Sequence, residues 1–159
     1  MNNLQRFLPT LYGILFGCIV LLDQLTKRLA LLFLEERVYF LPFLSGEVTI
    51  NRGISWGMLH ADSSVLFGIV TAGIAAITIG VAIYAVKQFQ AGASILAEVL
   101  IVAGSCANIL DRIHYGGVVD FILVSFGSWD FPTFNIADIC IVLGVMLYVW
   151  RLHSQRVES

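Results

Sequence analysis

Two carboxylates sit in stretches of chain that are otherwise apolar. Asp120 is embedded in VVDFI (residues 118–122) and Asp138 in IADIC (residues 136–140), with 17 residues between them. A loop of that length closes readily, because closure entropy grows slowly with length. Two acids facing each other at about 3 Å cannot both ionise comfortably, so one proton is shared. Such a pair supplies a general base and a general acid together. The base takes a proton from water. The acid protonates a carbonyl oxygen and later a leaving amine. This is aspartyl peptidase chemistry, and it calls for no metal, cofactor or covalent intermediate.

Further polar residues accumulate around the pair. Asp23 and Lys27 are four apart and share a helix face. Asn108 and Arg112 are also four apart, with Asp111 beside them, and Asn135 and Asp138 are one helical turn apart. A carboxylate at the bilayer centre costs about 2.5–3.5 kcal/mol, less near an interface, so each is a functional suspect. Rival chemistries lack their residues. The chain has no H-E-x-x-H and no G-x-S-x-G. Ser105 follows Gly104, but no histidine in the spans is placed to activate it. His114 lies near Asp111 and Asp120, so a metal site is conceivable, but one histidine with loose acids reads as a solvated loop histidine; His60 and His153 read as interfacial. Cys18, Cys106 and Cys140 all sit in apolar runs and are expected as small packing residues.

The elements that must position these groups are membrane helices. Of 159 residues, 58% are hydrophobic and 13% charged, against about 25% charged in an ordinary soluble domain. Mean hydropathy is +0.88. Val65 to Val86 is a run of 22 residues without a charge, enough to cross about 30 Å of hydrocarbon. The apolar runs predict one membrane domain over residues 1–159. Its four transmembrane helices fall near 8–32, 65–86, 93–111 and 134–151. Glu98 and Asn108 weaken the third. Val48–Ile50 and Val118–Ile122 have the content of short strands, which predicts a small β-like cap on an otherwise all-α membrane fold.

Four spans put both termini on one side. Nine of the eleven acids fall on the face of the two long loops; only Glu98 and Glu158 do not. Raw counts of lysine and arginine do not settle orientation. Leu15-Phe16-Gly17-Cys18 looks like the end of a lipoprotein signal peptide, but membrane sequence continues past it. A net charge of −2 and the lack of a basic stripe argue against a nucleic-acid partner.

Five stretches together carry a family resemblance: LDQLTK (22–27), NRGISWG (51–57), NILDR (108–112), VVDFI (118–122) and FPTFNIAD (131–138). In order and spacing they resemble the bacterial lipoprotein signal peptidases, also called signal peptidase II, over nearly the whole chain. Two departures are Ile54 after Gly53 and Ala107 before Asn108. The resemblance implies a membrane aspartic endopeptidase that cuts diacylglyceryl-modified prolipoproteins just before the lipid-bearing cysteine. It implies Asp120 and Asp138 as the catalytic pair. Asn51, Gly53, Asn108, Arg112 and Asn135 would line or support the substrate site, and Asp23 and Lys27 would support it. It places the chain in the bacterial inner membrane, with the acids near the periplasmic leaflet and both termini cytoplasmic. Partners expected are prolipoproteins and membrane lipids, no cofactor, and a monomeric chain. On charge cost alone, a proton-coupled carrier and a non-enzymatic assembly factor stay open. A carrier needs acids spread through the membrane; an assembly factor tolerates loss of either aspartate.

Overall fold

The structure, a computed structural model, describes residues 3–53 and 63–157. Its element order is α1 (Asn3–Phe33), β1 (Val38–Leu41), β2 (Leu44–Asn51), α2 (Ser64–Gln90), α3 (Leu96–Tyr115), β3 (Val118–Phe126), β4 (Trp129–Asp130) and α4 (Ile136–Val157). The protein is mostly helical, with a small antiparallel sheet.

Within α1, α2 and α4, the stretches Phe7–Phe33, Ser64–Gln90 and Ile136–Gln155 are long and apolar enough to cross a membrane. They turn apolar side chains outward. Leu21, Phe33, Ile69, Ile77, Met146 and Trp150 are each at least 64% exposed. An apolar surface of that extent marks contact with lipid. The fourth expected span is different. Helix α3 is present, but its 20 residues carry Glu98, Asp111 and Arg112, and it is not among the helices apolar enough to cross. Its packing explains the composition: α3 lies against α1, α2 and α4, and all three of those charged residues are buried. Glu98 meets Arg151 of α4 in an ion pair, so it is matched inside the protein rather than set against lipid.

Small residues let α3 and α4 approach closely. A Cβ on Gly104 would lie 2.5 Å from the Ala137 carbonyl oxygen, and one on Gly144 would lie 2.7 Å from that of Ala97. Such contacts drive helix association where burial from water gives no help. Gly104→Val will therefore force the two helices apart and lower stability by about 1–3 kcal/mol. A thermal melt in detergent checks this; an unchanged melting temperature would contradict the close approach.

The sheet is larger than the sequence suggested. Its order is β1-β2-β3-β4, all neighbours antiparallel. Strands β2 and β3 come from the two long loops and pair from Leu44↔Val124 to Asn51↔Val118. Between Gly46 and Thr49 the register slips: Gly46 faces Ile122 and Thr49 faces Asp120, so β2 carries one extra residue. Bulges of this kind re-aim side chains near functional sites. Arg37 ties the sheet together. It donates to Ser45 Oγ at 3.1 Å, to Ser125 Oγ at 2.7 Å and to Asp130 Oδ2 at 2.8 Å. That guanidinium holds the Asp130 carboxyl below the usual carboxylate range.

Gly116, at φ 67°, ends α3 in the left-handed conformation that glycine adopts freely. Two residues later β3 begins, so Asp111, Arg112 and Asp120 stay near one another. After β4 the chain folds back. Phe134 exchanges backbone bonds with Ile122, at 2.9 and 3.0 Å. This pairing holds residue 134 in extended conformation, which is why α4 starts at Ile136 and not at 134.

Candidate active site

The first turn of α4 is built as a reciprocal cap. Asn135 Oδ1 accepts from the Asp138 backbone N–H at 2.9 Å, and Asp138 Oδ2 accepts from the Asn135 backbone N–H at 3.2 Å. This is the capping-box arrangement with Asn at the cap and Asp three residues on. Asp23 of α1 completes the end: its Oδ1 accepts from the Ala137 N–H at 2.8 Å. Capping alone would account for one oxygen of Asp138. The other, Oδ1, accepts from Asn108 Nδ2 of α3 at 2.8 Å.

Asp120 comes to the same place from the sheet. It faces Thr49 across the β2–β3 pair, and Asn51 is its diagonal neighbour on that face. Asn51 Nδ2 donates to Asp120 Oδ2 at 3.1 Å, while Asn51 Oδ1 accepts from the Gly53 N–H at 2.9 Å. Asn135 Nδ2 donates to Asp120 Oδ1 at 2.6 Å. One asparagine therefore bonds both acids. Burial, and then the nearby charge of Asp138, push the Asp120 carboxyl up to about 7.

Behind the acids lies a second charged group. Lys27 Nζ is 2.7 Å from Asp23 Oδ2, 2.7 Å from Asp111 Oδ2 and 2.8 Å from Asn108 Oδ1. Lys27, Asp23 and Asp111 are each at most 1% exposed. Asp111 also accepts from Gln24 Nε2 at 2.7 Å and from the Val119 N–H at 3.1 Å. Adjacency in sequence suggests that Asp111 partly neutralises Arg112; its charge does act on Arg112, while its direct ion pair is with Lys27. Arg112 donates through Nη2 to the Gly53 carbonyl at 2.5 Å, and its carbon Cζ lies 5.6 Å from the Phe67 ring centre. Its Nη1 is buried and has no hydrogen-bond partner among the described residues.

Asp120, Asp138, Asn51, Gly53, Asn108 and Arg112 all line one cavity of about 460 Å³. Ile74 of α2 and Ile139, Val142 and Leu143 of α4 form an apolar flank, with Ser105 on the α3 side. A cleft with convergent polar groups at one end and apolar helix faces at the other suits an amphipathic ligand. Asn135 and Lys27 stand behind its wall, each at most 1% exposed. His114 is exposed at the end of α3. No group of three or more metal-ligating side chains occurs among the described residues. Ile54 and His60 lie outside the described residues.

The family model described as Signal peptidase (SPase) II matches residues 15–154. The chain belongs to the signal peptidase II family. Among curated relatives of this family, the lipoprotein signal peptidase of Thermodesulfovibrio yellowstonii is 37% identical over 135 residues, covering 84% of this chain and 88% of the relative. That of Anoxybacillus flavithermus is 32% identical over 157 residues, covering 92% and 89%. A bacterial membrane enzyme solved by the in meso method at 2.3 Å resolution matches with a TM-score of 0.77 and 28% identity, over 94% of this chain and 92% of that one. As a member of the signal peptidase II family the chain is a peptidase, a hydrolase, and a multi-pass membrane protein that acts in lipoprotein processing.

All nine residues singled out from the sequence converge at this end of the fold. Sequence reasoning left Asp111 without its real partner and missed Gln24. Both lie at helical spacing from residues already noted, Gln24 beside Asp23 and Lys27, and that spacing was the available signal.

Proposed function

We propose that this signal peptidase II is an aspartic endopeptidase. It removes the signal peptide from diacylglyceryl-modified prolipoproteins, cutting before the lipidated cysteine. Asp120 and Asp138 share one proton and activate one water. The observation that carries the reading is Asn135, whose hydrogen bonds join the two acids at the polar end of a cleft with an apolar flank. The ionised member takes a proton from water as it attacks the scissile carbonyl. The protonated member gives its proton to the carbonyl oxygen. As the tetrahedral intermediate collapses, a proton passes to the leaving amine. Arg112 Nη1, Asn51 and the Gly53 backbone hold the extended peptide, and the flank of Ile74, Ile139, Val142 and Leu143 receives acyl chains.

In this reading α3 is the fourth span, carried through the bilayer inside a sheath of α1, α2 and α4. The chain sits in the bacterial inner membrane with both termini cytoplasmic. The acids and the sheet then lie at the periplasmic headgroup boundary, at the depth of the lipid anchor. It works as a single domain and a single copy.

The test is incubation of purified protein with a lipid-modified prolipoprotein and with its unlipidated form. Cleavage of the first alone is expected, unchanged by chelator; equal cleavage of both would remove the lipid from the reading. The pH dependence adds a second check. The Asp120 carboxyl, held at about 7 by burial and by Asp138, keeps the shared proton below neutral pH. Above about 7 that proton is lost, and kcat/KM should fall about tenfold per pH unit. A flat rate from pH 7 to pH 9 would contradict a shared proton.

A further inference from the structure

We infer that Lys27 is a positioning residue for the acid pair: its ammonium dictates which way the side-chain amides of Asn108 and Asn135 face, and so presents N–H donors to both aspartates. The inference rests on the reading of Asp120 and Asp138 as catalytic.

An ammonium donates three hydrogen bonds and accepts none. Lys27 Nζ lies 2.7 Å from Asp23 Oδ2 and 2.7 Å from Asp111 Oδ2 as ion pairs, and it donates a hydrogen bond to Asn108 Oδ1 at 2.8 Å. Asn108 must therefore turn its oxygen toward Lys27, which leaves its NH₂ 2.8 Å from Asp138 Oδ1. The same Asn108 oxygen accepts from Asn135 Nδ2 at 3.2 Å. That contact works with the α4 cap to fix the second amide: its NH₂ reaches Asp120 Oδ1 at 2.6 Å, and its oxygen takes the Asp138 N–H. One cation on α1 thus sets the polarity of contacts to acids on β3 and α4. Without it, Asn108 is free to flip. A flipped amide sets oxygen against oxygen and demands a proton on Asp138. The orientation held by Lys27 instead suits a carboxylate ready to take a proton from water.

The charged groups facing this network are Asp23 and Lys27 from α1, Asp111 and Arg112 from α3, Asp120 from β3 and Asp138 from α4. Helix α2 brings no charged side chain before Lys87. Arg52, after β2, lies 5.4 Å from the Phe67 ring centre. A merely structural lysine would change stability and leave the titration of the reaction alone. A positioning lysine changes both kcat and its pH dependence.

The experiment compares Lys27→Met with Lys27→Gln on a lipid-modified prolipoprotein, with kcat and KM followed across pH. Lys27→Met, which has no donor, should lower kcat about 100-fold with KM within about threefold. The acid limb of its rate profile should move to higher pH. Lys27→Gln can still donate an amide N–H to Asn108 Oδ1 and should recover about tenfold of that loss. Wild-type kcat in Lys27→Met, or equal losses in both variants with an unmoved profile, would overturn the inference. If the single variants fail to fold, Lys27→Met with Asp23→Asn and Asp111→Asn removes the cation together with both of its carboxylate partners. The same kcat loss and profile shift are expected there, and wild-type kcat again overturns it. Asp120→Asn and Asp138→Asn run alongside. If either cleaves normally, the acid-pair reading itself has failed; if both are inactive and Lys27→Met is normal, only the role of Lys27 has.

Discussion

Asp120→Asn and Asp138→Asn will each reduce prolipoprotein cleavage by about 10⁴-fold or more, at the upper end of what one positioned acid or base contributes. In the proposed mechanism each acid does half of one proton relay, so neither substitution would leave a working remainder. The loss will not be a folding failure. Asp120 is 2% exposed and its carboxyl sits at about 7, through burial and then the charge of Asp138. In an unfolded chain the same group ionises near about 4. Between those values the folded protein holds a proton that the unfolded chain has released. That contribution to stability is complete below about 4 and is lost as pH rises toward 7. Asn has no such dependence. Asp120→Asn should therefore gain on wild type by about 2–3 kcal/mol between pH 5 and pH 8, read as a difference in melting temperature that widens with pH. A variant that melts well and cleaves nothing isolates the chemistry. Substantial cleavage by both single variants would end the aspartic reading.

Asn135→Asp will be nearly as damaging, about 10³-fold in kcat at pH 7. The Asn135 NH₂ faces three acceptors: Asp120 Oδ1 at 2.6 Å, Asn108 Oδ1 at 3.2 Å and the Val119 carbonyl at 3.4 Å. A carboxylate there sets oxygen against all three and adds a third acid to a site that tolerates two poorly. The change is nearly isosteric, so packing is spared. Partial recovery is expected toward pH 5, where a proton on the new acid restores a donor to Asp120. A variant that cleaves at the wild-type rate at pH 7 would show that the bridge between the acids is dispensable.

Much of the site was legible because polar residues in apolar sequence are few and conspicuous. VVDFI and IADIC each advertise one acid, and Asn135 and Asp138 stand one helical turn apart; that this turn is a reciprocal cap appears only in the structure. The sheet was harder. β1 is the four-residue apolar run VYFL and β4 only two residues long, too short for periodicity to separate from loop. The bulge opposite Asp120 has no sequence mark. Pairings between distant residues were equally hidden. Asp111 adjoins Arg112 in the chain, yet consecutive helical residues point to different faces, and Asp111 turned to α1. Glu98 read as a flaw in a span until its partner Arg151, on another helix, explained it. Composition reports the charge that a helix carries, and only packing reports whether that charge meets lipid.

The contact between Asp23 and Lys27 lies wholly within α1, one turn apart, so it does not wait for the rest of the chain. Within α1 the anion and the cation neutralise each other, which lowers the cost of placing both in lipid. The first segment can thus enter the bilayer before any later helix exists to shelter it. When α3 and α4 arrive, the same pair offers Lys27 to Asp111 and an Asp23 oxygen to the Ala137 N–H. A pair that α1 can form by itself is thus also the place at which α3 and α4 attach.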